Sequence, residues 1–212
     1  MRTPAALVAL IATAAAYALG CAAAQATTVT VRVRTAAGAP AADAVVVFEP
    51  LDRHAPVAPA HPEAVIDQIH KLFVPHVKVI RTGTAVWFPN SDRIRHQVYS
   101  FSPAKTFSLK LYAGAPKKAV VFDKPGLVVL GCNIHDSMIA FVLVVDTPYF
   151  AKAPASGDAQ LALPAGRYRM RLWDESLSAP VPPRTVVVGD SPLDLPVTLE
   201  LSATPDPAAA WP

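Results

Sequence analysis

Hydrophobic and polar residues alternate in short runs along most of the chain. Val29, Val31 and Val33 are separated by polar residues, the period of two that is typical of a half-buried strand. Runs of this length recur between turns rich in Gly, Pro, Asn and Asp, and none shows the period of a helix. We therefore predict an all-β fold. The predicted strands cover residues 28–34, 44–48, 65–70, 77–80, 85–88, 97–100, 106–111, 119–122, 127–130, 139–145, 157–163, 166–173, 184–188 and 197–201.

The spacing of these strands divides the chain into blocks. Residues 65–147 hold enough short strands for an antiparallel sandwich or barrel. Residues 27–50 and 148–203 each hold too few strands for a stable sandwich. Together they would form an Ig-like sandwich interrupted by the middle block. In the alternative, two domains follow one another along the chain, and the strands of residues 27–50 pair with the domain formed by residues 65–147. Residues 51–64 read as a Pro-rich loop, and the Pro- and Ala-rich tail 204–212 is expected to be disordered.

The first 26 residues read as a secretory signal peptide. Arg2 precedes an apolar stretch over residues 5–18, and Ala24-Gln25-Ala26 has the pattern of a cleavage site. An alternative is lipidation at Cys21, where the preceding residues resemble a bacterial lipoprotein box. No later apolar run reaches the ~20 residues of a membrane helix. We therefore predict export to the periplasm, without a transmembrane segment.

Charge and cysteine content narrow the choice of function. Without Arg2, 18 basic and 16 acidic residues remain, and this net charge of +2 predicts no attraction to nucleic acid. Of the two cysteines, Cys21 lies in the leader, so the exported chain holds only Cys132. A single cysteine in an oxidising compartment pairs with another chain, reacts or binds a metal.

The surroundings of Cys132 favour a metal site. The run Gly131-Cys132-Asn133-Ile134-His135-Asp136-Ser137-Met138 lies between two predicted strands and has C-x2-H-x2-M spacing, while His96 opens an earlier strand. Taken alone, His135 could be an exposed loop residue and Met138 a core residue. Taken together, two imidazoles, a thiolate and a thioether are the ligands of a type-1 copper site. The thioether disfavours zinc.

Because of these four candidate ligands and their order, residues 65–147 resemble a cupredoxin of the plastocyanin, pseudoazurin and amicyanin type. Gly83 before a strand, Asn90 in the loop before His96, and Pro125-Gly126 before the strand to Cys132 match that family. The resemblance implies a Greek-key β-sandwich with one mononuclear copper ion. It also implies that His135 lies at the solvent edge and that Asn90 ties the two ligand loops together.

The flanking segments resemble a different kind of sandwich. The strand and turn pattern of residues 27–50 and the run Leu163-Pro164-Ala165-Gly166-Arg167-Tyr168 are similar to the two halves of carboxypeptidase-regulatory or transthyretin-like domains.

Several residues depart from the cupredoxin pattern. Gly131 stands where an aromatic residue is usual, and Asn133 and Asp136 replace apolar residues or Pro in the ligand loop. Such a polar loop could coordinate copper differently, as in the red-copper relatives. Gln68, on the first strand of the block, is a further candidate ligand.

These observations predict an exported copper protein that carries single electrons to or from a redox partner such as a cytochrome, a dehydrogenase or an oxidase. Two alternatives stay open. One is a copper-handling protein, although the chain has only three methionines, including Met1. The other is a mononuclear copper enzyme with a modified cupredoxin site.

Overall fold

The computed structural model describes residues 26–52, 54–55 and 62–211, and the predicted leader therefore lies outside it except for Ala26. Seventeen strands and no helix are found in this part of the chain. No helix there is long and apolar enough to cross a membrane. The strands are β1 (Ala26–Thr35), β2 (Val45–Pro50), β3 (Glu63–Val65), β4 (Asp67–Ile69), β5 (Leu72–Val74), β6 (Val77–Arg81), β7 (Thr84–Trp87), β8 (His96–Ser102), β9 (Lys105–Tyr112), β10 (Val120–Phe122), β11 (Gly126–Gly131), β12 (Ile139–Val145), β13 (Phe150–Lys152), β14 (Asp158–Pro164), β15 (Gly166–Trp173), β16 (Arg184–Val188) and β17 (Leu193–Leu199).

The first two strands pair with the last five. One sheet has the order β14-β1-β17, and the other has the order β13-β2-β15-β16. β1 runs antiparallel to β14 and parallel to β17, while β2 runs antiparallel to both β13 and β15. An apolar core that includes Val31, Phe48 and Tyr168 lies between these sheets. We call this unit the flanking sandwich.

The strands between them form a second unit, which we call the middle sandwich. Its larger sheet has the order β6-β12-β11-β8-β9 and its smaller sheet the order β10-β7-β3, with β4 and β5 as a separate hairpin. The core between the two sheets includes Phe88, Leu130 and Met138. Cys132 belongs to the same core, so the predicted metal site lies inside this sandwich and at its end.

Two strands connect the units because both of their faces are buried. In β2, Val46 and Phe48 face the core of the flanking sandwich, whereas Val45 and Val47 face a third apolar cluster. That cluster also takes residues from the outer face of β12, and the rings of Phe141 and Trp173 meet there with centroids 5.3 Å apart. Continuous apolar runs are typical of strands covered on both sides. The molecule is therefore a stack of four sheets.

The predicted strand over residues 65–70 is wrong in detail. Ile66 interrupts it, so that β3 pairs with β7 while β4 turns back onto β5. His70 and Lys71 form the hairpin turn with positive φ angles of 54° and 59°. Such a two-residue turn matches the twist of paired strands, but here it is built without the usual Asn or Gly. His-Lys is not a pair that predicts a hairpin turn, so neither the turn nor β5 was predicted from the sequence.

The tail also differs from the prediction of disorder. Trp211 is only 7% exposed and belongs to the third apolar cluster, with the guanidinium of Arg171 3.8 Å from its ring centre. Further back, Pro207 accepts a 3.0 Å hydrogen bond from Nε1 of Trp173. A terminal tryptophan that buries its ring holds the tail in place, despite a composition rich in Pro and Ala.

Candidate metal centre

The pairing of β8 with β11 brings His96 and Cys132 together. Gly131, the last residue of β11, is paired with Tyr99 on antiparallel β8. Cys132 follows Gly131 and His96 precedes Tyr99 by three residues, so both lie at the same end of the sheet. Residues 96, 98 and 100 are buried whereas Gln97 and Tyr99 are half-buried, and this alternation turns His96 into the core.

Cys132, His96 and His135 converge on one point. Their ligand atoms all lie within 4.8 Å of one another. Nδ1 of His96 lies 3.9 Å from Sγ of Cys132, and the two imidazole rings have centroids 5.0 Å apart at an angle of 64°. His96 is fully buried and Cys132 is 3% exposed, whereas His135 is half-buried. Among the residues described, His135 is thus the ligand candidate nearest to solvent.

Met138 completes the ligand loop. The loop joins β11 to β12, and the Met138 amide donates a 2.9 Å hydrogen bond to the carbonyl of His135, which closes a tight turn. The Met138 side chain is fully buried in the same core as Cys132. Asn133 and Asp136, the polar departures in this loop, are exposed. They therefore face solvent rather than the core.

The donor set fits a copper ion. Nδ1 of His135 is buried and has no hydrogen-bond partner within the described residues, although a buried imidazole nitrogen without a partner is costly. A metal ion would take its lone pair. A thiolate with two imidazoles, and a thioether as a weaker ligand, suits copper better than the harder divalent ions. His96, Cys132 and His135 would hold the ion, with Met138 as the fourth donor.

Asp92, which sequence analysis did not single out, contacts the buried ligand candidate. Its Oδ2 lies 2.8 Å from Nε2 of His96, and its oxygens accept hydrogen bonds from the amides of His70 (2.7 Å) and Lys71 (2.8 Å). Burial raises the pKa of this carboxyl, but the donors Lys71, His96 and His70 outweigh that effect, so the net pKa is lowered. The position of an acid four residues before a candidate ligand could have drawn attention to it.

The ring of Tyr99 occupies the space that a side chain at position 131 would enter. A Cβ built on Gly131 would lie 2.7 Å from Cζ and 2.8 Å from Oη of Tyr99, closer than real contacts allow. Tyr99 in turn packs on Phe101 with ring centroids 5.1 Å apart. The aromatic residue expected just before Cys132 is therefore replaced in space by a ring from the neighbouring strand.

Asn90 anchors the loop before His96. Its Nδ2 donates to the carbonyls of Ile94 (2.9 Å) and Tyr112 (2.8 Å), and its Oδ1 accepts from the amide of Asp92 at 3.0 Å. Its backbone pairs with Gly114. Within the described residues, the Asn90 side chain makes no hydrogen bond to the loop of Cys132. Its contacts order the loop that carries Asp92 and leads to His96.

Gln68 lies fully buried beneath the same loop. Its Nε2 is within hydrogen-bond distance of the carbonyls of Phe88 (3.2 Å) and Pro89 (3.0 Å) and of Oη of Tyr112 (2.7 Å). Tyr112 donates to the Phe88 carbonyl, and burial raises the pKa of its phenol to about 12. Oε1 of Gln68 has no partner within the described residues. These contacts give Gln68 a structural role under the loop that leads to His96, and its ligation of copper stays a prediction.

His76 links the ligand loop to the flanking sandwich. Its Nδ1 lies 3.0 Å from the carbonyl of Ile139, the residue after Met138, and its Nε2 lies 2.6 Å from Oε2 of Glu175. Its ring also packs edge-on against Phe141. The start of β12 is thereby held against the neighbouring unit.

No family model and no curated protein matches the sequence. Solved structures resemble it by fold. The Cu-containing nitrite reductase of Thermus scotoductus SA-01 aligns with 45% of this chain at 24% identity and a TM-score of 0.37, and the chain spans only 25% of that protein. The purple cupredoxin of Nitrosopumilus maritimus aligns with 38% of this chain and 98% of its own, at 22% identity and a TM-score of 0.35.

Amicyanin of Paracoccus versutus gives a similar result, with 41% of this chain and 84% of its own aligned at 19% identity and a TM-score of 0.33. The structural neighbours are cupredoxins. Each alignment leaves more than half of this chain unmatched. We therefore infer a function from the residues of the site itself.

Proposed function

We propose that the protein is an exported carrier of single electrons with one mononuclear copper ion held by His96, Cys132, His135 and Met138. The observation that carries this proposal is the convergence of a buried thiol and two imidazoles within 4.8 Å. When bound there, copper supplies a one-electron Cu(II)/Cu(I) couple. The soft sulfur donors favour Cu(I), and the imidazoles accept both oxidation states.

Three of the four candidate ligands are buried, so the protein encloses the site from within. His96 and Met138 are fully buried and Cys132 is nearly so, whereas catalytic metal sites keep a position open for water or substrate. The ligand residues are held between paired strands, which limits their movement when the charge of the site changes. Closure and rigidity suit electron transfer better than catalysis or release of the metal.

The exposed edge of the site suits approach by a redox partner. Half-buried His135 is flanked by Ile134, which is 48% exposed, and Ile139 beyond Met138 is 43% exposed. A cytochrome, dehydrogenase or oxidase would contact this edge, and the electron would pass through the imidazole of His135. Export through the segment 1–26 places this exchange in the periplasm.

Copper loading of the purified protein tests the proposal. We expect an intense visible thiolate-to-copper charge-transfer band and reversible one-electron redox cycling. Cys132→Ser should abolish the band, because a hydroxyl cannot replace the thiolate. Ser137→Ala changes an exposed residue of the same loop and is the matched control that keeps the band. A colourless protein with weak copper binding would refute the proposal, and N-terminal sequencing of the secreted protein tests the leader separately.

A further inference from the structure

We propose that Asp92 is a positioning residue of this metal centre, which fixes the tautomer of His96 and stabilises the higher oxidation state of the bound metal. The inference rests on the proposed copper site and deepens it. Its basis is the carboxylate–imidazole–thiol arrangement formed by Asp92, His96 and Cys132.

Asp92 determines which ring nitrogen of His96 carries the proton. A neutral imidazole carries one proton, which makes one nitrogen a donor and the other an acceptor. An ionised carboxylate only accepts, so Oδ2 of Asp92 at 2.8 Å requires the proton on Nε2 of His96. Nδ1 then keeps its lone pair and faces Sγ of Cys132 at 3.9 Å. Asp92 thus selects the tautomer that a metal ligand at Nδ1 needs.

Asp92 is itself held in place by backbone hydrogen bonds. Three hydrogen bonds from backbone amides fix Asp92. The amides of His70 and Lys71 donate to its carboxylate, and its own amide donates to Oδ1 of Asn90 at 3.0 Å. The His70–Lys71 turn has positive φ at both residues, and this conformation presents its two amides to the carboxylate. The hairpin of β4 and β5 is therefore part of the support of the metal site.

The Asp92 carboxylate also changes the net charge of the metal site. The Asp92 side chain is 14% exposed and the His96 side chain is fully buried, so solvent screens their interaction weakly. A divalent ion with one thiolate and one carboxylate gives a neutral site, whereas a monovalent ion leaves a net negative charge. The Asp92 carboxylate therefore favours Cu(II) over Cu(I). Exposed Lys71 and Arg93 beside Asp92 reduce this effect without removing it, since both are solvated.

A variant that removes the charge of Asp92 but keeps the shape of its side chain tests the preference for Cu(II). In Asp92→Asn we expect Cu(II) affinity to fall about tenfold or more, as is typical for the partner of a ligating histidine. Cu(I) affinity should change less, so the ratio of bound Cu(II) to Cu(I) at a given potential should fall. A tenfold fall corresponds to a rise of about 59 mV in the one-electron reduction potential.

Two further variants separate this effect from general damage. Asp67 also supports the loop, through Ser91, but within the described residues it makes no hydrogen bond to His96, Cys132, His135 or Met138, so Asp67→Asn is the matched control of equal charge change. We expect its potential to stay at the wild-type value. Asp92→Glu retains the charge and should recover most of the Cu(II) preference. An unchanged potential in Asp92→Asn, or an equal shift in Asp67→Asn, would overturn the charge argument.

The tautomer is tested in the unmodified protein, so the test does not depend on whether a variant folds. Nitrogen-15 NMR of the copper-free full chain should show His96 protonated at Nε2 and unprotonated at Nδ1. A proton on Nδ1 would overturn the positioning role. If wild-type protein binds no copper, the proposed function fails while this measurement still decides the role of Asp92. If it cycles copper normally, failure of either Asp92 test refutes this inference alone.

Discussion

The flanking and middle sandwiches have similar architectures, but the residue types of their cores differ. The core of the flanking sandwich consists of apolar side chains with the phenol of Tyr168, whose hydroxyl donates to the carbonyl of Pro164. In the middle sandwich, polar side chains and a thiol enter the core. The buried polar or charged residues of the described chain are Thr27, Gln68, Thr84, Asn90, His96, Ser100, Thr147 and Asp174, five of which belong to the middle sandwich.

This difference shows that buried polar groups, which lower stability when unpaired, are concentrated around the candidate metal centre. A buried polar group costs free energy unless it is hydrogen-bonded, about 1–3 kcal/mol for one left unpaired. Gln68, Asn90 and His96 nevertheless lie at one end of the middle sandwich, and Gln68 and His135 each keep a buried atom without a partner within the described residues. No comparable cluster occupies the described core of the flanking sandwich, which buries apolar surface and supports its neighbour.

Truncation of one core phenylalanine in each sandwich should give the largest effect. Phe48 and Phe88 are both fully buried, and we expect Phe48→Ala and Phe88→Ala each to cost about 3–5 kcal/mol in the free energy of unfolding. Denaturant unfolding measures this loss. Copper titration under conditions where both variants are folded should show lower affinity only in Phe88→Ala, because the Phe88 ring packs in the same core as Cys132 and Met138, whereas Phe48 lies in the core of the flanking sandwich. Equal copper affinities would contradict the separation of roles.

A methyl group added at Gly131 should have a smaller effect. The Tyr99 ring already occupies the space of a Cβ at that position, so Gly131→Ala should cost about 1–3 kcal/mol as overpacking. Gly189 of the flanking sandwich has nothing within 4 Å of its ideal Cβ, which makes Gly189→Ala the matched control with little loss. Unfolding free energies of the two variants decide the comparison. Equal tolerance at both glycines would show that Tyr99 does not restrict position 131.

The smallest effect concerns Asp174, beside the Glu175 that binds His76. Burial, with a smaller contribution from Glu175 and Asp43, raises the pKa of Asp174. A raised pKa in the folded state favours the protonated form, so this carboxyl contributes stability at low pH and loses it as pH rises through the folded pKa. Asp174→Asn should therefore raise the melting temperature at pH 7, on the order of 2 °C.

That advantage should shrink as the pH falls toward about 4, the ordinary range of an aspartic acid. Asn keeps an oxygen that can accept the 2.8 Å hydrogen bond from the amide of Ser176. Asp190→Asn, at an exposed position, removes the same charge as a control. A gain for Asp174→Asn that does not vary with pH would contradict the burial of its charge as the cause.

Strand positions were predictable because most strands bury one face. The observed bounds of β12, β15 and β16 equal the predicted ranges 139–145, 166–173 and 184–188. The exceptions have local causes. The His70–Lys71 turn uses residues that rarely adopt positive φ, and β13 spans only Phe150–Lys152, too few residues for a visible pattern. The alternation of apolar and polar residues along a strand also cannot show which strands become neighbours in a sheet.

The sequence by itself determined the all-β class, the candidate ligands and their spacing, because alternation and residue chemistry are local properties of the chain. Only the tertiary structure decided that β8 lies beside β11, which brings His96 to Cys132. It also decided that Tyr99 fills the space at Gly131 and that Asp92 holds the buried imidazole. These contacts depend on strand pairing and loop conformation between residues distant in sequence, and no pattern along the chain encodes them directly.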